Sequence, residues 1–229
     1  MPKEGEYMSL FPHVVESSFD RCGDRVVRVI ARLPVSPNSI SAAGFLLIIA
    51  GSAFLAAGEF VIAGVLVLAG GLLDAFDGKI ARLTKKESIY GAVFDATLDR
   101  VGEMALYSGL GMYLIRHGLY LTTGIAVVAI AGSILISYVR ARVESFNIPC
   151  PVGLLRRSER IVLFGTGSLF HFSDGYFHEP ARWIITQLHL PYKYPPMPIT
   201  LVLLVIAFLS PITIFQRLRY VRMFDGSRS

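Results

Sequence analysis

Between residues 74 and 99 the chain reads D-A-F-D-G-K-I-A-R, then eight further residues, then G-A-V-F-D-A-T-L-D. Asp74 and Asp77 are three residues apart and Asp95 and Asp99 four, so in a helix each pair shares one face. Both pairs sit at the edge of long apolar runs, where an ionised carboxylate costs about 2.5–3.5 kcal/mol on insertion scales. Four such groups together call for a compensating charge. Clustered oxygen donors suit one or two hard divalent cations, Mg2+ or Mn2+, which commonly bridge protein carboxylates and substrate phosphates. A pair of such ions supports in-line displacement at phosphorus. Gly78 removes a side chain next to Asp77, so that backbone or phosphate can approach closely. Arg82, one turn further on, can balance phosphate charge.

The elements that carry these residues are apolar. Of the 229 residues 53% are hydrophobic and only 17% charged, which is too apolar for a soluble domain of this length. Stretches such as 40–57 and 60–73 carry almost no charge over lengths that approach bilayer thickness. The expected fold is therefore all-α and integral to the membrane. Six transmembrane helices are expected at about 38–57, 60–82, 88–116, 121–147, 157–173 and 198–222. Pro37-Asn38-Ser39 starts the first span, with Pro near the first turn and Asn or Ser positioned to cap it. Ahead of it, residues 17–33 read as an amphipathic helix in the headgroup plane. Arg21, Arg25, Arg28 and Arg32 form its basic stripe, while Val26, Val29, Ile30 and Leu33 cover much of the other side. The organisation is thus an N-terminal segment (1–36), a six-helix membrane domain (37–222) and a short tail (223–229). The long connection 173–197 is rich in Pro and aromatics. Trp183, Tyr192 and Tyr194 there suit a membrane interface, and a short helix is expected around 179–189.

The basic residues gather on one side of this plan. Lys79, Arg82, Lys85, Lys86, Arg140, Arg142, Arg156, Arg157, Arg160, Arg217, Arg219 and Arg222 share the side of both termini. Only Arg116, Arg182 and Lys193 fall on the other. That bias puts the termini and the carboxylates on the cytoplasmic side of the cell membrane. The net charge of +5 then reflects anionic headgroups, and nucleic acid is not an expected partner. The first residues lack a continuous apolar core, so no cleavable signal peptide is expected. Cys22 and Cys150 have neither metal-type spacing nor a disulfide framework, and the five histidines are scattered.

The stretch 74–99 resembles the signature of the CDP-alcohol phosphotransferases, D-x-x-D-G-x-x-A-R, eight residues, G-x-x-x-D-x-x-x-D. Asp74, Asp77, Gly78, Ala81, Arg82, Gly91, Asp95 and Asp99 match every fixed position. The resemblance implies a binuclear metal site at Asp74, Asp77, Asp95 and Asp99, with Asp99 as general base on an acceptor hydroxyl. It implies a CDP-linked donor whose β-phosphorus is attacked while CMP leaves. It puts the cytidine nucleotide against Gly78, Ala81, Arg82 and the segment around Asn38, beside Gly91. A homodimer is expected on the same ground.

A second group of residues bears on the acceptor. Ser137, Arg140 and Arg142 end the fourth span, Arg157 and Arg160 open the fifth, and Arg217 lies near the end of the sixth. Arginines converging beside a metal–phosphate centre suit a second anionic ligand, since the guanidinium fork grips phosphate with two hydrogen bonds. The segments I-S-Y-V-R-A-R-V-E, R-R-S-E-R-I-V and Q-R-L-R-Y-V-R resemble the phosphatidylinositol-phosphate synthase branch. This implies transfer of a phosphatidyl group from CDP-diacylglycerol, or a similar CDP-lipid, to inositol 1-phosphate. The acceptor phosphate would fall to Ser137, Arg140, Arg142, Arg160 and Arg217. Actinobacterial members have Lys where this chain has Arg140 and Pro where it has Ser158. Arg140 keeps the charge with a different donor geometry. Other acceptors or donors stay open: glycerol 3-phosphate as in phosphatidylglycerophosphate synthases, CDP-archaeol as in the archaeal relatives, and CDP-inositol as in di-inositol phosphate synthesis. From a different class, a cation transporter could use the same membrane carboxylates.

Overall fold

The first helix starts within a residue of the expected position, but its cap is Ser36 rather than Asn38 or Ser39, which lie inside the first turn. Ser36 accepts a hydrogen bond from the backbone N–H of Ser39 at 3.2 Å, and Pro37 takes the first turn, where its missing N–H is not needed. This helix, α1, runs Pro37–Ala57 and ends at Gly58, whose φ of 89° only glycine adopts freely. The computed structural model describes residues 36–84, 88–173 and 195–226, and among these there are helices and turns but no strand. After α1 come α2 (Phe60–Thr84), α3 (Ile89–Arg116), α4 (Tyr120–Glu144), α5 (Arg157–Leu169) and α6 (Met197–Gly226). A 3-10 turn, Phe170–Ser173, extends α5. Ser88 caps α3, accepting from the N–H of Gly91 at 2.9 Å. At the start of α5 the buried Glu159 accepts from the N–H of Arg156 and so satisfies a donor the helix leaves open.

The helices pack through small residues. α1 lies against both α2 and α3, α2 against α5, and α6 against α4 and α5. A Cβ on Gly44 would stand 3.0 Å from the carbonyl oxygen of Gly70, and one on Gly64 would stand 2.7 Å from that of Gly165. Only glycine permits these approaches of α1 to α2 and of α2 to α5. Leu55, Phe60, Val67, Leu106, Leu110, Leu114, Phe164 and Leu203 fill the centre. Leu46, Tyr120, Leu121, Phe208 and Phe215 point outward and are exposed, the inverse of a water-soluble surface.

Among the described residues four helices are long and apolar enough to cross a membrane, at Pro37–Ala57, Phe60–Ile80, Tyr120–Glu144 and Met197–Phe224. The two others fall short for different reasons: α3 is long but carries Asp95, Asp99, Arg100 and Glu103, and α5 has only 13 residues. The helix bounds otherwise follow the expected spans within a few residues. α4 stops at Glu144 because the chain turns through Asn147, at a φ of 56°. α6 continues past 222 to Gly226 despite Pro211 in its middle. The expected amphipathic helix at 17–33 and the short helix at 179–189 lie outside the described residues, as do Trp183, Tyr192 and Tyr194.

Candidate active site

α2 and α3 both pack on α1, and the end of α2 that carries Asp74 meets the part of α3 that carries Asp95 and Asp99. Asp74, Asp95 and Asp99 each offer an oxygen, and these oxygens all lie within 4.8 Å of one another. Like charges that close repel unless a cation stands among them. Part of that role falls to Arg157, the first residue of α5. Its Nη1 donates to Asp74 Oδ2 at 2.8 Å and its Nη2 pairs with Asp99. The guanidinium does not satisfy the cluster: among the described residues Asp95 Oδ1 is buried without a hydrogen-bond partner, and so is Arg157 Nε. An oxygen left bare beside two other carboxylates suits a hard divalent cation, which takes oxygen donors and needs no hydrogens. The residues present fit such an ion.

Asp77, the fourth expected ligand, is turned toward α1. It is buried, and Ser41 Oγ donates to its Oδ2 at 2.5 Å. The expected donor residues lie around it. A Cβ on Gly78 would meet nothing within 4 Å, so open space borders Asp77, whereas one on Gly91 would stand 3.2 Å from Asn38 Oδ1. Asn38 at the start of α1 therefore lies beside the start of α3. The side chains of Ala81 and Arg82 lie outside the described residues.

The expected acceptor residues divide into buried and exposed ones. Arg160 is buried and donates from Nε and Nη2 to the two carboxylate oxygens of Glu103, at 2.7 and 3.0 Å, and from Nη2 to Ser137 Oγ at 3.1 Å. Arg217 is buried too and donates to two backbone carbonyls, from Nε to Val152 at 3.1 Å and from Nη1 to Ile136. It thereby fastens the loop that launches α5, at a point where Gly153 adopts a φ of 133°. Arg140 and Arg142 are exposed. Arg140 pairs with Glu144 one turn on, at 2.8 Å, and Arg142 lies over the ring of Phe146. The structure thus joins Ser137 to Arg160 and leaves Arg140 and Arg142 at the surface of the same helix end.

Two partners were not singled out from sequence, Ser41 beside Asp77 and Glu103 beside Arg160, and Arg157, expected among the acceptor arginines, lies instead on Asp74 and Asp99. A signal existed for Glu103, since Asp95, Asp99 and Glu103 repeat every four residues and fall on one face of α3. Arg157 and Arg160 share a face of α5 by the same rule.

Residues 34–209 match the family described as CDP-alcohol phosphatidyltransferase. The chain belongs to that family. As a CDP-alcohol phosphatidyltransferase it is a transferase and, with its four long apolar helices, an integral membrane protein. It is 31% identical over 222 residues to an archaetidylinositol phosphate synthase of Methanothermobacter thermautotrophicus, covering 96% of this chain and 97% of that one. Its fold resembles the crystal structure of Mycobacterium tuberculosis phosphatidylinositol phosphate synthase with CDP-DAG bound. That match has a TM-score of 0.68 and 25% identity, covering 87% of this chain and 92% of the other. The same mycobacterial enzyme in complex with manganese and citrate matches equally well, at TM-score 0.68 and 25% identity, over 86% and 87% of the two chains. Among CDP-alcohol phosphatidyltransferases, then, the relatives named here act with inositol phosphate in their names, and one has been seen with a divalent metal.

Proposed function

We propose that this transferase moves the phosphatidyl group of CDP-diacylglycerol, or a CDP-lipid of similar type, to the hydroxyl of inositol 1-phosphate, releasing CMP. The observation that carries the reading is the convergence of Asp74, Asp95 and Asp99 within 4.8 Å, with Arg157 among them and Arg160 one turn along the same helix. On this reading all six helices span the membrane, residues 17–33 lie in the headgroup plane, and the site and both termini face the cytoplasm. Asp74, Asp77, Asp95 and Asp99 hold two divalent ions, Mg2+ or Mn2+, whose chemistry is neutralisation of charge on the transferring phosphoryl group.

The remaining steps belong to side chains. Asn38, Gly78, Ala81, Arg82 and Gly91 receive the cytidine nucleotide, with the space beside Gly78 admitting its phosphates. Ser137, Arg140, Arg142, Arg160 and Arg217 hold the acceptor phosphate. Asp99 takes the proton of the acceptor hydroxyl, whose oxygen then attacks the β-phosphorus. The bond from that phosphorus to the bridging oxygen of CMP breaks, and CMP leaves with the electron pair. In this structure Arg157 pairs with Asp99 through one carboxylate oxygen, Oδ1.

A CMP-release assay tests the reading. Purified protein with Mg2+ and CDP-diacylglycerol is offered inositol 1-phosphate, glycerol 3-phosphate, inositol or serine in turn. Release with inositol 1-phosphate alone is the expected result; release with glycerol 3-phosphate instead would keep the reaction and overturn the acceptor. A second reading, CDP-archaeol as donor, is favoured by the archaetidylinositol phosphate synthase that matches 96% of the chain. It predicts faster CMP release with CDP-archaeol than with CDP-diacylglycerol at equal acceptor.

A further inference from the structure

The backbones of α3 and α5 hardly approach each other, unlike the neighbouring pairs in the bundle. Side chains bridge the gap in three successive contacts. Asp99 meets Arg157 at the mouth, Glu103 meets Arg160 one turn inward, and Tyr107 meets the ring of Phe164 at 5.3 Å a further turn in. On α3 the three residues are spaced by four, and on α5 by three and four, so each series follows one helix face. The middle contact is the buried one, with Glu103 and Arg160 both almost without exposure. Breaking such a pair strands a charge in a low dielectric, which makes its geometry rigid.

That geometry is selective about which donors it consumes. Glu103 engages the Nε–Nη2 edge of Arg160 with both its oxygens, and Ser137 Oγ accepts from the same Nη2. Nη1 makes no hydrogen bond among the described residues, and Ser137 Oγ, used here as an acceptor, keeps its own proton to donate. We infer that Glu103 is a positioning residue for the acceptor: it fixes the guanidinium plane so that Arg160 Nη1 and the Ser137 hydroxyl remain as two aimed donors for a phosphate monoester. Glu103 also cancels the charge of Arg160. The pair therefore recognises phosphate by direction of donors, and net attraction falls to Arg142 and Arg217, which make no ion pair among the described residues. This inference rests on the acceptor reading above, in which Arg160 and Ser137 face the phosphate.

The test is a pair of variants assayed by CMP release over a matrix of donor and acceptor concentrations. Glu103→Asp keeps the charge that Arg160 needs for folding but shortens the reach by one carbon, so the side-on grip is lost. The expected result is a rise of about tenfold or more in KM for inositol 1-phosphate, the scale of one lost charge-assisted hydrogen bond. KM for CDP-diacylglycerol should stay within about twofold. Glu103→Gln should raise the acceptor KM in the same direction. In an Arg160→Lys background neither change should raise it further, because the fork being positioned is gone. A purely structural role predicts the opposite split, a lower amount of active enzyme with both KM values unchanged, and that result overturns the inference. If Glu103→Gln does not fold, Glu103→Asp alone decides it. Wild-type protein that releases no CMP with inositol 1-phosphate overturns the acceptor reading and this inference together. Wild-type turnover with an unchanged acceptor KM in Glu103→Asp overturns the inference only.

Discussion

Arg157 and Arg160 leave the same helix three residues apart, and each grips a carboxylate of α3, yet in opposite surroundings. Arg157 has a side chain 23% exposed, spans two aspartates of different helices and leaves its Nε without a partner among the described residues. Arg160 is 2% exposed, and its contacts go to one glutamate and one serine that need nothing else from it. On the proposed reading the first contact stands where an incoming cation or substrate would meet it, and the second belongs to the framework. One turn of helix thus separates a partly exposed ion pair from a buried one, and local water access rather than residue type sets the difference.

Breaking the partly exposed pair at its carboxylate should have the largest effect. Asp99→Asn is expected to lower CMP release by about 10²–10⁴-fold, the range for loss of a general base, while Mn2+ still raises the thermal midpoint. Turnover near the wild-type rate would remove the base assignment. In the buried pair, Arg160→Gln leaves Glu103 without its partner. It should destabilise the protein by about 3–5 kcal/mol, read as a lower midpoint in detergent-solubilised thermal unfolding.

A smaller change sharpens the contrast. Arg157→Gln removes the cation among Asp74, Asp95 and Asp99, and should cost the metal-free protein about 1–3 kcal/mol. Saturating Mg2+ or Mn2+ should recover most of that loss, so added metal raises the midpoint more in the variant than in wild type. An equal rise in both would mean that Arg157 and the ion do not compete for the carboxylates. Least affected should be Glu144→Gln, which breaks only the exposed pair with Arg140. The expected change is below about 0.5 kcal/mol in stability, with the midpoint essentially unmoved.

The sequence was most legible where a single element carries the information. Apolar length and caps located the helices, because Ser36-Pro37, Gly58 and Ser88 act on their own backbone neighbours. The meeting of Asp74 with Asp95 and Asp99 followed from the short link between two consecutive helices and two helical spacings. What could not be read depends on how helices are rotated against one another. Asp77 and Asp74 are only three residues apart, yet one faces Ser41 on α1 and the other Arg157 on α5. Arg217, expected at a phosphate, also holds two carbonyls of its own chain, contacts that depend on the loop conformation around Gly153 and have no signal in the sequence. Charge count along the chain identifies arginines that gather, and says little about which of their donors are already engaged.

The low apolarity of α3 has a consequence for how the protein is made. On the six-span reading, α3 enters the bilayer carrying Asp99 and Glu103, while the arginines that neutralise them are still to be synthesised; Glu103 and Arg160 lie 57 residues apart in the chain. Until α5 emerges, those acids must stay protonated, shelter against α1 or remain near the headgroups, since hydrocarbon does not solvate them. The chain therefore matures in an order: α1 and α2 first, as independent insertions, then α3 held provisionally, then α5 locking it in place. On that reading a polypeptide halted before Arg157 would hold Asp99 and Glu103 without the arginines that pair with them.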